Sequence, residues 1–107
     1  MIEKMTIHTT NEQGNLTVEL TGRLDTTTAP QLEEELKGPV AEVPELTLDF
    51  SKLEYISSAG LRVLLWANKS MAKRDGTMVI KGANDEVREV FTITGFAGIL
   101  TVEDKDG

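Results

Sequence analysis

The sequence predicts an α/β domain built on one mixed sheet, and three observations carry that prediction. Early in the chain, "NLTVELTGRLD" sets Leu16, Val18, Leu20 and Leu24 at a period of two, the mark of a half-buried strand. Further on, apolar strand-like runs alternate with segments of helical period, which implies parallel strands joined by crossover helices. Finally, 107 residues that are 39% hydrophobic supply one compact core and leave no room for a second. Residues 1–107 are therefore expected to form a single domain.

Each element has its own local warrant. Met5 and Ile7 alternate with polar neighbours, and "NEQGN" reads as a turn, so residues 11–15 join a hairpin. In "TTTAPQLEEELKGP", Thr28 followed by Gln31 fits a capping box, and Pro30 is tolerated in a first helical turn. Glu33, Glu34 and Glu35 lie toward that helix's N-terminus, where negative charge is favoured. Leu32 and Leu36 form its narrow apolar stripe, and Gly38-Pro39 reads as its stop.

"ELTLDFSKLEYI" predicts a strand through Leu46, Leu48 and Phe50, a short loop, and a return to apolar residues at Tyr55 and Ile56. A helix runs from about Ser58 to Arg74, ending before Asp75-Gly76. "TMVIKGA" is a short strand, and "NDEVREVFTITG" is a helix capped by Asn84 and ended by Gly95. "ILTVE" is a last strand, and residues 104–107 read as a frayed end. Phe91, Ile93 and Phe96 are assigned to the core, and Gly22 and Gly82 to turn or bulge positions. The predicted order is β-β-α-β-α-β-α-β.

Composition excludes several classes of function. A formal net charge of -7 argues against nucleic acid as a direct partner, because phosphate binding needs a basic surface. Without cysteine there is no disulfide or thiolate chemistry, and a lone His8 argues against a zinc site. Neither GxGxxG nor GxxxxGKS/T is present, so nothing calls for a nucleotide cofactor. "MIEKMTIHTT" lacks the apolar centre of a secretory signal. "VLLWA", the longest apolar stretch, falls far short of the ~20 residues that cross a bilayer. These features predict a soluble cytoplasmic domain with no cofactor and no membrane insertion.

The stretch "YISSAGLRVLLWANK" holds the most pointed chemistry. At ~100° per residue, Leu61, Leu64, Leu65, Asn68 and Ala72 share one stripe, with Met71 at its edge. Arg62, Trp66, Lys69 and Lys73 share a second face, and Ser58 lies one turn before Arg62.

Three readings compete for Ser57 and Ser58. As a cap, a serine oxygen accepts from a first-turn N–H, worth about 1 kcal/mol, with Gly60 permitting close backbone approach. As a nucleophile, it needs a neighbouring base and a group that orients that base. "ISSAGL" lacks the leading glycine of G-x-S-x-G, and nothing places His8 at the corner, so a hydrolase is rejected. As a phosphorylation site, Ser58 sets a phosphate where free N–H groups and the helix dipole favour an anion, with Arg62 one turn away. Capping and phosphorylation both stay open on the residues alone. Asp25 is either a turn or helix cap, or a neighbour of the serine. Trp66 is either an interface anchor or an indole partly covered by the third helix or a nearby loop.

"LTGRLDTTTAPQLEEEL", "LTLDFSKLEYISSAGLRVLL" and "GTMVIKGANDEVREVFTITGF" together resemble the STAS domain family over nearly the whole chain. The middle block is the specific one. More narrowly, the chain is similar to the free-standing bacterial anti-sigma factor antagonists. That resemblance implies a binding module with no catalytic or metal site. Its partner is implied to be an anti-sigma factor that is also a serine kinase, and docking frees a sigma factor. The kinase then phosphorylates a corner serine and the complex falls apart, until a serine phosphatase reverses the change.

The matching serine is Ser58, with Ser57 the alternative. With Asp25 matching an acidic residue at the mouth of the same site, and Arg62 and Trp66 added from the helix face, the expected partner-binding set is Asp25, Ser57, Ser58, Gly60, Arg62 and Trp66. Many members carry Asp-Ser-Ser-Gly or Asp-Ser-Thr-Gly where this chain has Ser57-Ser58-Ala59-Gly60; "SSAGL" also occurs in the family. An alternative within the same fold is a STAS subunit of a lipid-transport ABC system, which binds its ATPase without phosphoregulation.

Overall fold

The computed structural model describes residues 5–104, and its elements follow the predicted order with two additions, a short helix and a 3-10 turn. Strands β1 (Met5–Glu12) and β2 (Asn15–Leu24) form an antiparallel hairpin. Its two-residue turn holds Gln13 at φ 53° and Gly14 at φ 91°, the positive pair that matches the twist of the strands. Then come α1 (Ala29–Leu36), a four-residue α2 (Pro39–Glu42), β3 (Glu45–Ile56) and α3 (Ser58–Ala72). The chain continues through β4 (Thr77–Lys81), α4 (Asp85–Thr94), a 3-10 turn at Phe96–Gly98 and β5 (Thr101–Glu103).

The sheet order is β1-β2-β3-β4-β5, antiparallel only in its first pair. Right-handed crossovers that advance one strand at a time in one direction put their helices on one face. Burial agrees. Val18 on β2, Leu48 on β3 and Ile80 on β4 lie in register and are buried, with Leu32, Leu36, Leu64, Met71 and Phe91 over them. The opposite face is polar: His8, Glu19, Asp49, Lys81 and Glu103 form one row across all five strands.

Several local expectations hold. Asn84 Oδ1 accepts from Val87 N at 2.8 Å, and Gly95 closes α4 at φ 84°. Gly22 and Gly82 have positive φ, and Gly22 sits at a register shift between β2 and β3.

Others change. No loop interrupts β3: its far half stays paired with β2 through two irregularities, which absorb the break in alternation. Gly38-Pro39 does stop α1, which ends at Leu36 with Lys37 as its C-cap, but Gly38 keeps a helical φ of -70° and Pro39 at once opens α2. Because α1 begins at Ala29, Glu33, Glu34 and Glu35 fall in its second turn, beyond the reach of the terminal dipole. Ile93 is 76% exposed, since it points ~200° around α4 from buried Phe91.

The stripe on α3 is rotated toward Val63 and Ala67, which are buried with Leu61, Leu64 and Met71. Leu65 and Asn68 are only half-buried and Ala72 is exposed, because α3 packs against α1 and α2 as well as the sheet. Of the expected frayed end, 105–107 lie outside the described residues. Asp104 accepts from Arg88 Nη2 at 2.7 Å.

Candidate functional site

The site forms where β2 and β3, parallel and paired to their last residues, deliver two helix starts side by side. Leu24 pairs with Ile56, so Asp25 and Ser57 leave the sheet together. Ser57 N donates to Leu24 O at 2.9 Å and ties the two exits.

The turn before α1 is densely bonded. Asp25 Oδ1 accepts from Thr27 N at 2.9 Å, Thr27 Oγ1 at 2.8 Å and Thr28 N at 3.2 Å. Thr28 Oγ1 donates to Arg23 O at 2.8 Å and accepts from Asp25 N at 2.8 Å. Thr28 stands at the N-cap position but makes no side-chain cap bond, so the expected capping box with Gln31 does not form. Asp25 instead fastens the turn that leads into α1, from three residues earlier. A short carboxylate at a strand end is well suited to it.

At the second start, Ser57 is the N-cap, with extended backbone, and its Oγ accepts from Gly60 N at 3.4 Å. Ser58 is the first helical residue and is exposed. The opening amides of a helix have no partner within it, so this end is electropositive. Gly60 is buried where α3 crosses the strand ends. A Cβ there comes within 2.7 Å of Leu24 Cγ and 2.9 Å of Ile56 Cγ1, so only glycine fits.

Arg62 and Trp66 extend the site along α3. Arg62 is exposed and Trp66 half-buried. Both line a groove of ≈ 350 Å³ between α3 and α1, whose other walls include Thr26, Ala29, Pro30 and Glu33. Trp66 therefore leans toward α1, not toward α4.

The structure thus brings Asp25, Ser57, Ser58 and Gly60 to one corner and leads Arg62 and Trp66 away from it. It adds a pair that the sequence did not reveal. Arg23 lies over the ring of Tyr55, 4.3 Å from the centroid, on the open sheet face beneath the corner. Their register partnership would have been the signal, but the irregularities in β3 hide it.

His8 lies opposite Glu19, five positions from Leu24 along β2 and so roughly 16 Å from the corner. That distance leaves Ser58 without an imidazole base. Among the described residues, no helix is long and apolar enough to cross a membrane.

The STAS domain family profile matches residues 6–105. A protein from Bordetella bronchiseptica named as an anti-sigma factor antagonist, BtrV, is 41% identical over 90 residues, 83% of this chain and 78% of the relative. The anti-sigma-B factor antagonist of Listeria monocytogenes is 34% identical over 89 residues, 80% of this chain and 76% of the relative. The crystal structure of an anti-sigma factor antagonist from Mycobacterium paratuberculosis superposes with a TM-score of 0.83 at 26% identity. That match covers 92% of this chain and 84% of the other.

Proposed function

The chain belongs to the STAS domain family, and we propose that it is an anti-sigma factor antagonist that works by partner switching, a binding module and not an enzyme. The names of its relatives support this reading. The observation that carries it is an exposed serine at the first position of a helix, capped by its neighbour.

The partner is an anti-sigma factor with serine-kinase activity. Unmodified Ser58 docks on it together with Asp25, Ser57 and Arg62, and Trp66 serves as the apolar anchor. Buried Gly60 acts by holding the shape of the corner. Docking frees the sigma factor. The kinase then moves the γ-phosphoryl group of ATP to Ser58 Oγ, releasing ADP and the hydroxyl proton.

The new group adds about two negative charges at neutral pH, placed where helix N–H groups and Arg62 tolerate it. The domain therefore stays folded. The interface does not, because a contact made around a hydroxyl must now bury an unpaired charge, which costs several kcal/mol, roughly 3–5. A serine phosphatase resets the cycle. Sigma factors and ATP place these events in the cytoplasm, with no direct contact to nucleic acid or membrane.

The test is affinity capture by the tagged protein from its native lysate, with intact mass measured before and after ATP. A kinase-fold anti-sigma factor, with a single phosphate mapped to Ser58, is the expected result. Ser58→Ala should keep docking and lose the mass gain. Capture of a transporter ATPase without a mass gain would replace this reading with the lipid-transport subunit.

A further inference from the structure

The serine corner uses only the opening of α3, and the rest of its outer face differs from the molecule around it. The chain holds 18 acidic residues against 11 basic, yet α3 contains no Asp or Glu. Arg62, Lys69 and the C-cap Lys73 are exposed along one side. Two grooves follow that side and share Arg62 and Trp66 as their common wall. The first, of ≈ 350 Å³, includes Ala29, Pro30 and Val63. The second, of ≈ 300 Å³, lies beyond Trp66 and includes Leu65, Lys69 and Lys73. From Arg62 to Lys73 the stripe runs about 16 Å, three helical turns.

We infer that this stripe docks an acidic amphipathic helix of the partner protein, with its apolar residues beside Trp66 and its carboxylates against Arg62, Lys69 and Lys73. Who the partner is rests on the reading above, but the chemistry of the stripe does not depend on Ser58. Charge complementarity selects the occupant. The far bank of the first groove is α1, which sets exposed Glu33 in its wall. A planar anionic membrane or a nucleic-acid backbone presses on both banks and meets that acid. One helix is narrow enough to turn its carboxylates toward α3 alone, in the groove-docking manner of amphipathic helices.

The probe is a synthetic helical peptide of about 15 residues, with a leucine stripe flanked by glutamates. Its lysine-for-glutamate twin and phosphatidylglycerol vesicles serve as comparisons, and binding is read from the emission of Trp66, the only tryptophan. The glutamate peptide should bind, and the double variant Lys69→Glu, Lys73→Glu should lower its affinity about tenfold. Raising ionic strength from about 0.05 to about 0.3 M should weaken it as well.

Equal binding of the lysine twin, no binding of the glutamate peptide at millimolar concentration, or indifference to the double variant overturns the inference. Vesicle binding at the stripe overturns it in favour of a lipid surface. Ser58→Asp is measured in parallel; it should abolish capture of the kinase while lowering peptide affinity far less than the double variant, since its carboxylate lies near Arg62 but far from Lys69 and Lys73. If capture survives Ser58→Asp, the partner-switching reading fails and the stripe is judged by the peptide alone.

Discussion

Two helix starts emerge from neighbouring strands, and the chain secures them in opposite ways. Before α1, the Asp25 carboxylate and the Thr28 hydroxyl fasten the turn with short bonds that close it on itself. Before α3, the Ser57 side chain contributes one bond at 3.4 Å, its N–H adds the 2.9 Å tie to Leu24 O, and Gly60 packs against Leu24 and Ile56. One start is charged and locked by polar contacts. Its neighbour is neutral, held by shape, and presents Ser58 on its rim. The difference teaches how an element end can be built to take an added charge: the fold there depends on apolar packing that a charge on Ser58 does not touch.

Substitutions at the two starts break or sharpen this contrast. The largest effect is expected from Ser58→Asp, which should weaken kinase docking by about 3 kcal/mol, roughly a hundredfold. Its Tm should stay within about 3 °C of the parent, because acid at a helix N-terminus is mildly favourable. A collapse of Tm would show that the corner does depend on Ser58.

Gly60→Val should cost about 2–3 kcal/mol through overpacking, seen as a Tm loss on the order of 10 °C by calorimetry. An unchanged Tm would mean that α3 can lift from the strand ends. Asp25→Ala removes the carboxylate that fastens the turn before α1 and should cost about 1–2 kcal/mol in denaturant unfolding. Asp25→Asn should recover most of that loss if the role is geometric.

Ser57→Asp converts the second start toward the first. A charged acceptor at the N-cap should add about 0.5 kcal/mol. It should also raise the rate of Ser58 phosphorylation if the corner aspartate common in the family aids kinase recognition; a flat rate would assign Ser57 a capping role only.

The smallest effect lies outside both starts. Glu34 accepts from Lys37 at 3.1 Å on the surface, and first this hydrogen bond, then the negative charge, raises the lysine's pKa. Stability from that pair is present below lysine's ordinary pKa and lost as pH rises through the raised one. The lysine is fully exposed, so Glu34→Gln should lower its NMR titration midpoint and leave Tm at neutral pH unchanged.

Much of this molecule is written in local pattern. The alternation of Leu16, Val18 and Leu20, the Asn84 and Gly95 caps and the strand-to-helix corner at Ser57-Ser58 each depend on residues a few positions apart. Backbone propensity and side-chain period act over that range, so sequence alone determined the order of the strands and the longer helices and the place of the corner. It did not determine how far β3 runs, which way α3 turns, or what Trp66 leans on. Those depend on partners far along the chain: β2 extends β3 through its irregularities, α1 and α2 rotate the buried stripe of α3, and Thr26 and Glu33 wall the groove beside Trp66. The Arg23–Tyr55 stack belongs with these. Its residues are set opposite each other only after two strands have paired, and pairing register is a property of the assembled sheet.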